Sequence, residues 1–329
     1  MRVQIKLKKR IHLWRSLLPS PLAKRNQKRS FWGRRGIFLL WSLGCLACTR
    51  NAPTVDNPSQ IPVYFLSCSD VPLLKVTIEQ AEYLLKLDLG ASCDLMLPRR
   101  VLDQIEEKEY VGVADGGDIQ GSQYHNAQFE VLDVQIGRLH VPKAVAIEED
   151  VYFISHGSRP WGKIQKKQLQ QQLQHIDGRV GNQLFSASVC FLDLAHSKFC
   201  IGASVDEIAQ RDSLDGYRQM PFKFYKGLMC IDCKTEYGDK SFVLDTGSHR
   251  SVLSKSSLLR PGRTPHAVRM TLDGVGSLRF DLLDFPQQLS EVDGILGMDF
   301  FRRYCICIDF QNQWVYLKQH PSFLDKFSF

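Results

Sequence analysis

Two short segments of the chain place an aspartate directly after an apolar run, with a glycine two residues later. The first is residues 85–92, LKLDLGAS, which contains Asp88, and the second is residues 242–248, FVLDTGS, which contains Asp245. An apolar run of this kind predicts a buried strand, so each carboxyl group is expected at the mouth of a strand, where the glycine lets the backbone turn tightly. A lone Asp-x-Gly is a common turn, whereas two copies in one chain indicate a shared chemical role.

Two carboxyl groups held close together cannot both stay ionised, and they therefore share a proton. One of them can then take a proton from an attacking water molecule while the other, protonated, polarises a carbonyl group. We interpret Asp88 and Asp245 as a candidate pair for this chemistry, which requires no metal ion and no cofactor.

The chain also contains an internal repeat. Residues 177–185, DGRVGNQLF, match residues 293–301, DGILGMDFF, and the first aspartate of each is followed sixteen residues later by another, Asp193 and Asp309. Chance does not readily give the same motif with the same spacing. Two copies of one structural unit are the simplest explanation, and we interpret Asp193 and Asp309 as structural residues of paired strands.

The repeat predicts the domain organisation. Lobes are expected at 61–204 and 216–320, with a linker at 205–215 and a tail at 321–329. Short runs rich in Val, Ile, Leu, Phe and Tyr, separated by turns, predict β-strands in both lobes. The first lobe is longer, and its polar stretch near 148–174 predicts a surface insertion. The expected fold is all-β, with two pseudo-symmetric lobes and a cleft between them.

These features resemble the aspartic protease superfamily, both retropepsin-like and pepsin-like, over nearly all of residues 61–320. The sequence Asp-Thr-Gly-Ser at 245–248 matches the family's active-site motif, and Ile-Leu-Gly at 295–297 matches its second signature, which braces the active-site turn. The first lobe departs from the pattern, since Leu89 stands in place of Thr or Ser and Arg179 in place of an apolar residue. The short lobes indicate a retropepsin-like unit duplicated in one chain.

The resemblance implies that Asp88 and Asp245 form the catalytic dyad of an aspartic endopeptidase, with a polypeptide substrate in the cleft. A monomer suffices, because both aspartates belong to one chain. The glycine-rich hairpin at 112–124 falls where the family has its substrate-covering flap, which makes Tyr124 a candidate flap residue, although an ordinary exposed hairpin is the alternative. The residues that the resemblance assigns to the supporting active-site loops are Leu89, Gly90, Ala91, Ser92, Thr246, Gly247 and Ser248.

Leu89 leaves a second interpretation open. In the family, the hydroxyl group after each aspartate joins a hydrogen-bond network between the lobes, and leucine has no hydroxyl group. The alternative is therefore a proteolytically inactive binding or structural module of the bacterial envelope that uses the same cleft.

The net charge of +7 is concentrated at one end of the chain. Residues 1–47 contain 12 Lys or Arg and no acidic residue, which leaves 30 basic and 35 acidic residues in the remainder. The body of the protein is thus mildly acidic, which argues against a nucleic-acid partner.

The basic N-terminal segment predicts targeting. Its basic residues precede an apolar run of about twelve residues at 36–47. This run is too short for a helix that spans a bilayer, which needs roughly 20 apolar residues. Residues 1–48 are therefore expected to act as a signal peptide or a lipoprotein-type anchor, with Cys48 as the candidate lipidated residue and 49–60 as a linker. Export to the periplasm or cell envelope, with membrane attachment through this segment, is the expected localisation.

Ten cysteines are compatible with an oxidising compartment, but their pairing cannot be read from the sequence. Cys230 and Cys233 have the spacing of redox and zinc motifs, yet they lie in a predicted strand, where positions three apart point to opposite faces. We interpret them as ordinary strand residues.

Overall fold

The computed structural model describes residues 59–65, 70–117, 121, 123–149, 175–258 and 266–321. The N-terminal segment with Cys48 lies outside the described residues, as do most of the predicted linker at 49–60, the insertion from 150 to 174 and the tail from 322 onwards.

The described residues form mainly β-strands. In the first half these are β1 (Ser59–Pro62), β2 (Tyr64–Phe65), β3 (Pro72–Ile78), β4 (Ala81–Asp88), β5 (Leu95–Leu97), β6 (Lys108–Gly117), β7 (Gln123–Ile136), β8 (Leu139–Glu148), β9 (Gly178–Gly181), β10 (Val189–Asp193) and β11 (Lys198–Gly202). In the second half they are β12 (Arg218–Tyr225), β13 (Leu228–Thr235), β14 (Gly238–Leu244), β15 (Val252–Ser254), β16 (Ala267–Leu272), β17 (Gly276–Leu283), β18 (Gly294–Leu296), β19 (Tyr304–Asp309) and β20 (Trp314–Gln319).

The α-helices are single turns: α1 (Arg99–Leu102), α2 (Val205–Ala209) and α3 (Met298–Phe301). Among the described residues, none of the helices has the length and apolar character needed to cross a membrane.

The first lobe is an eight-stranded sheet in the order β2-β3-β4-β9-β5-β8-β7-β6, and a further pairing of β3 with β7 closes the sheet on itself. The second lobe repeats this arrangement, with the order β13-β14-β18-β15-β17-β16 and a closing pairing of β13 with β16. In each lobe, the strand that leads to the Asp-x-Gly turn pairs in parallel with the strand of the repeated Asp-Gly motif. The predicted all-β fold with two pseudo-symmetric lobes is confirmed.

Strands from both halves form a shared sheet in the order β1-β11-β10-β19-β20-β12, which continues through β13 into the second lobe. At its centre β10 pairs with β19, and Val189 lies opposite Asp309. The strands that carry Asp193 and Asp309 are therefore neighbours, and the two repeats join through backbone hydrogen bonds.

The core follows from the alternation of side chains along these strands. In β3, Leu74, Val76 and Ile78 are fully buried, whereas Lys75 between them is exposed. Successive residues of a strand point to opposite faces, and burial of each such aliphatic side chain stabilises the fold by about 1.5–3 kcal/mol. The continuous core beneath both lobes holds the strands that lead to the aspartates.

The seven cysteines in the described part of the chain are free thiols. Cys230 and Cys233 are both buried in β13, but Cys233 belongs to the main core and Cys230 to a separate cluster. Their side chains therefore point to opposite faces of the strand.

Candidate active site

The two aspartates occupy equivalent places in the lobes. Asp88 is the last residue of β4, and Asp245 directly follows β14. Leu85, three residues before Asp88, lies opposite Gly178, and Phe242, three residues before Asp245, lies opposite Gly294. The repeated Asp-Gly motif thus packs beside the same position of each strand, which gives both carboxyl groups the same backbone support.

The repeated aspartate of each Asp-Gly motif supports its strand in the same way. Asp177 Oδ2 accepts a hydrogen bond from the backbone N–H of Leu84 at 3.0 Å, and Asp293 Oδ2 accepts one from the backbone N–H of Ser241 at 2.9 Å. Asp177 and Asp293 are therefore structural residues, whose carboxylates hold the strands that end at the candidate dyad.

Each aspartate of the candidate dyad lies against the glycine of the opposite lobe. A Cβ atom on Gly247 would lie 2.2 Å from Asp88 Oδ1, and one on Gly90 would lie 2.4 Å from Asp245 Oδ1. Any side chain at either position would collide with a carboxyl group, so the glycines permit the close approach of the two turns. The fold therefore brings Asp88 and Asp245 together across the lobes.

The backbone of the second turn holds Asp245. Its Oδ1 accepts hydrogen bonds from the N–H groups of Gly247 at 2.7 Å and Ser248 at 3.1 Å. These donors fix the orientation of the carboxyl group and leave Oδ2 for other partners.

The turns are also joined by Thr246. Its hydroxyl group accepts a hydrogen bond from the N–H of Leu89 at 2.9 Å and donates one to the carbonyl of Leu87 at 2.8 Å. The bonds connect the second lobe to both neighbours of Asp88. The side chain of Leu89 has no hydroxyl group and cannot form the equivalent hydrogen bonds to the second lobe. It is fully buried in the core, so apolar packing takes the place of these bonds.

The other predicted residues of the first loop lie close to these turns. The N–H of Ala91 donates to the carbonyl of Asp88 at 3.0 Å, and Ala91 is buried. Ser92 is exposed and lies against the turn between β12 and β13, where a Cβ on Gly227 would come within 2.5 Å of its Cβ. The loop therefore packs against the second lobe.

Two cations contact Asp88. Lys86 Nζ lies 3.1 Å from Asp88 Oδ2, and Arg179 Nη1 lies 3.3 Å from the same oxygen. Lys86 also donates to the carbonyl of Gly247 at 3.1 Å, across the lobes, and Arg179 forms an ion pair with Glu149. All of these side chains are largely buried, so their charges act on one another with little screening.

The surroundings move the two aspartate pKa values in opposite directions. Burial alone would raise the pKa of Asp88, but the charges of Lys86 and Arg179 outweigh it and lower the pKa to about 2. Burial, followed by the negative charge of Asp88, raises the pKa of Asp245 to about 7. Between these limits the pair holds one proton, on Asp245, and Asp88 is the ionised partner.

Asn182 further connects the loops. It follows β9 directly, and its side-chain amide donates to the carbonyl of Leu89 at 3.1 Å and to the carbonyl of Gly227 at 3.0 Å. Asn182 is buried and therefore holds the first active-site turn against the second lobe.

The predicted flap hairpin consists of β6 and β7. Tyr124 lies opposite Gly116 near its end, and its ring covers that glycine so closely that a Cβ there would lie 2.1 Å from the ring. Tyr124 also packs against the cluster of Ala91, Cys93, Met96 and Ile147. Gly121, beyond Tyr124 toward the end of the hairpin, lies beside Pro286 of the second lobe. The hairpin thus extends from the first active-site loop toward the other lobe.

Sequence reasoning did not assign Lys86, Glu149 or Asn182 to this site. Lys86 could have been found, because a residue two positions before Asp88 in a strand shares its face. Arg179 stands out in the sequence only as a departure from an apolar motif. Glu149 and Asn182 carry no comparable sequence signal, since their place depends on the pairing of distant strands.

The comparisons with known proteins agree with this architecture. No family model and no curated protein sequence matches the chain. Among solved structures, the aspartic proteinase from Irpex lacteus is similar with a TM-score of 0.52 and 12% identity, over 80% of this chain and 98% of that one. Basic 7S globulin from soybean is similar with a TM-score of 0.52 and 10% identity, over 83% of this chain and 99% of that one. The chain therefore has the two-lobed fold of the pepsin-like aspartic proteinases.

Proposed function

We propose that the protein is an aspartic endopeptidase with Asp88 and Asp245 as its catalytic dyad. The observation that carries the proposal is the reciprocal packing of each carboxyl group against the opposite glycine, Gly247 or Gly90. The opposite pKa shifts of the two residues, which leave Asp88 ionised and Asp245 protonated, also support the proposal.

The proposed reaction assigns one role to each aspartate. Ionised Asp88 takes a proton from a water molecule as the water oxygen attacks the peptide carbonyl carbon, and Asp245 gives its proton to the carbonyl oxygen. Breakdown of the tetrahedral intermediate returns the proton from Asp88 to the leaving amine and the hydroxyl proton to Asp245. The atoms of one water molecule are then divided between the two products.

Lys86 and Arg179 have two opposing effects on this reaction. They keep Asp88 ionised, so the single-proton form extends from acidic toward neutral pH. They also make Asp88 a weaker base, because a carboxylate with a lowered pKa binds the water proton less tightly. We therefore expect slow peptide cleavage over a broad range of pH.

The proposed substrate is an extended polypeptide between the lobes, beneath the hairpin that carries Tyr124. Both aspartates come from one chain, so a monomer is sufficient for this site.

A specific observation favours a second candidate function. Both cations contact the same oxygen of Asp88, and a carboxylate held in two ion pairs is a poor acceptor for the proton of water. Together with Leu89, which has no hydroxyl group, this arrangement supports a peptide-binding module of the same fold that does not cleave its ligand.

Cleavage of an unstructured polypeptide separates the two functions. The assay compares the wild-type protein with Asp88→Asn and Asp245→Asn from about pH 3 to pH 8, a range that spans the ordinary carboxyl pKa and the raised pKa of Asp245. Asp239→Asn, an exposed substitution at the start of β14, is the control. The endopeptidase proposal predicts cleavage by wild type and control, loss in both dyad variants, and inhibition by a general aspartic-protease inhibitor.

If the wild type binds polypeptide without cleaving it at any pH, the binding-module function replaces the endopeptidase. If Asp245→Asn is inactive but Asp88→Asn cleaves normally, Asp88 is not a catalytic partner.

We also propose that the protein is exported to the cell envelope and attached to a membrane through residues 1–48, with lipid on Cys48. The basic stretch and the short apolar run support this localisation. Cell fractionation and mass analysis of the mature N-terminus test it, and a cytoplasmic protein with residues 1–47 intact contradicts it.

A further inference from the structure

Four side chains of metal-binding type converge at one end of the shared sheet. Asp193 is the last residue of β10, and His196 lies in the short turn that follows. Cys305 lies in β19, and His320 directly follows β20. Two of these residues come from the first repeat and two from the second, on strands other than those that lead to the candidate dyad.

The donor atoms of these side chains lie close together. Asp193 Oδ1 is 3.1 Å from His320 Nε2 and 3.0 Å from His196 Nδ1. Cys305 Sγ is 3.4 Å from His320 Nε2. Zinc is bound tetrahedrally by nitrogen and oxygen at about 2.0–2.2 Å and by sulfur at about 2.3 Å, which requires neighbouring donors about 3.3–3.8 Å apart. The Cys305–His320 separation lies in this range, and the Asp193–His320 and Asp193–His196 separations are within a few tenths of an ångström of it.

The backbone positions these side chains before any ion binds. Extending the pairing of β10 with β19 by one residue places Asp193 opposite Cys305, because Leu192 lies opposite Ile306. The N–H of His320 donates to the carbonyl of Arg303 at 2.9 Å, which fixes the end of β20 beside β19. The cluster is therefore a consequence of the sheet register.

The cluster is buried on one side and open on the other. His320 is 4% exposed, whereas the side chain of His196 is 70% exposed. The donors of Asp193, Cys305 and His320 therefore lie on the buried side of the cluster. His196 faces solvent, which gives an ion a route of entry.

Ordinary His–Asp pairs elsewhere provide a comparison. Asp133 and His140 form one at 2.8 Å on the surface of the first lobe. Within the described ranges, Asp193, His196 and His320 are the one group of three potential ligands whose donor atoms all lie within 4.8 Å of one another. The thiol of Cys305 adds a fourth donor of a different kind.

We propose that Asp193, His196, Cys305 and His320 form a zinc site that ties the two repeats together through the shared sheet. The donor set of two imidazoles, one carboxylate and one thiolate suits zinc, whereas magnesium and calcium prefer oxygen ligands alone. The carboxylate and the thiolate together balance the charge of the ion. The site is structural, since all four positions are taken by protein ligands.

Zinc binding changes the protonation of one ligand. Zinc binds a cysteine side chain as the thiolate. As the zinc–sulfur bond forms, the S–H bond breaks and the proton passes to solvent.

Zinc and cobalt binding to the full-length protein test the proposal. After treatment with a chelator and dialysis, the wild type should bind stoichiometric zinc and melt at a higher temperature with zinc than without it. Cobalt in its place should give the absorption of a tetrahedral ion together with a thiolate-to-metal charge-transfer band. His196→Gln, an exposed substitution that the fold tolerates, should weaken zinc affinity by at least about 100-fold, because even outer partners of metal ligands contribute roughly 10–100-fold.

Two further variants complete the experiment. Cys305→Ser should remove the charge-transfer band, and His140→Gln, which alters the surface pair with Asp133, should bind zinc as the wild type does. The proposal is overturned if the wild type retains no zinc after dialysis, or if His196→Gln and Cys305→Ser bind zinc with unchanged affinity. The peptide-cleavage assay is independent of these readouts, so the two proposals can fail separately.

Discussion

Lys86 Nζ lies 3.1 Å from Asp88 Oδ2, on the same strand and two residues before it. The ammonium group also reaches the carbonyl of Gly247 in the opposite turn. Lys86 therefore places its positive charge beside Asp88 and contacts the backbone of the turn that carries Asp245. This asymmetry determines which carboxyl group carries the proton.

Replacement of the cations should narrow the pH range of activity. Lys86→Met and Arg179→Met each remove a positive charge that lowers the pKa of Asp88, so that pKa should rise. Since the proposed reaction needs Asp88 ionised, the acidic limb of the pH profile of kcat/KM should move to higher pH. Activity above that limb should be retained or increased, because Asp88 becomes a stronger base.

The matched control for this experiment is Lys75→Met, which removes an exposed lysine from the neighbouring strand β3. Its pH profile should follow that of the wild type. An unchanged acidic limb in both Lys86→Met and Arg179→Met would show that these cations do not set the ionisation of the pair.

The raised pKa of Asp245 predicts a dependence of stability on pH. A carboxyl group whose pKa rises from its ordinary 3.8 to about 7 on folding stabilises the folded state fully below pH 4, and this contribution is lost as the pH rises through 7. Asp245→Asn has no such titration. The stability of the wild type relative to this variant should therefore fall by on the order of 4 kcal/mol between about pH 4 and pH 8.

Urea unfolding at each pH measures this difference in the free energy of unfolding. Asp239→Asn, at an exposed position of the strand that leads to Asp245, serves as the control for changes in surface charge. A constant difference between the wild type and Asp245→Asn would mean that Asp245 titrates alike in the folded and unfolded states.

The repeat predicted the lobes because the same motif spacing places the same strands beside each other. The pairings of Leu85 with Gly178 and of Phe242 with Gly294 follow from this duplication. The shared sheet was harder to predict from the sequence, since the pairing of Val189 with Asp309 joins strands that belong to different repeats. Alternation of side chains marks a strand but does not identify its distant neighbour.

The candidate dyad could be predicted because Asp88 and Asp245 each stand in a recognisable local motif. The charges around Asp88 could not be predicted in full, because Arg179 reaches it only through the parallel pairing of β4 with β9, in which Lys86 lies opposite Arg179. The cluster of potential metal ligands around Asp193 could not be predicted for the same reason. Asp193 and His320 are far apart in sequence, and only the register of the shared sheet brings them together.

Thr246 should contribute to stability through its two buried hydrogen bonds. Thr246→Val keeps the shape of the side chain but leaves the N–H of Leu89 and the carbonyl of Leu87 without this partner. An unpaired buried polar group costs about 1–3 kcal/mol, so we expect a loss of at least this size in the free energy of unfolding. Thr271→Val, at an exposed position of β16, should change stability far less. Equal losses in the two variants would contradict a role of Thr246 in joining the lobes.

Tyr124 should affect substrate capture if the hairpin of β6 and β7 covers the cleft. Its ring packs over Gly116 and against Ala91 beside the first active-site turn. Tyr124→Ala removes this contact surface, and kcat/KM for an unstructured polypeptide should fall several-fold, mainly through a higher KM, since a covering hairpin holds the substrate before the reaction. Tyr124→Phe keeps the ring and should retain most of the activity. Tyr110→Ala is the matched control, because Tyr110 lies on the same hairpin with its ring 5.9 Å from that of Phe129 and is largely exposed. If Tyr124→Ala and Tyr110→Ala cleave with the same KM as the wild type, the hairpin does not act as a flap, and Tyr124 serves only to cover Gly116.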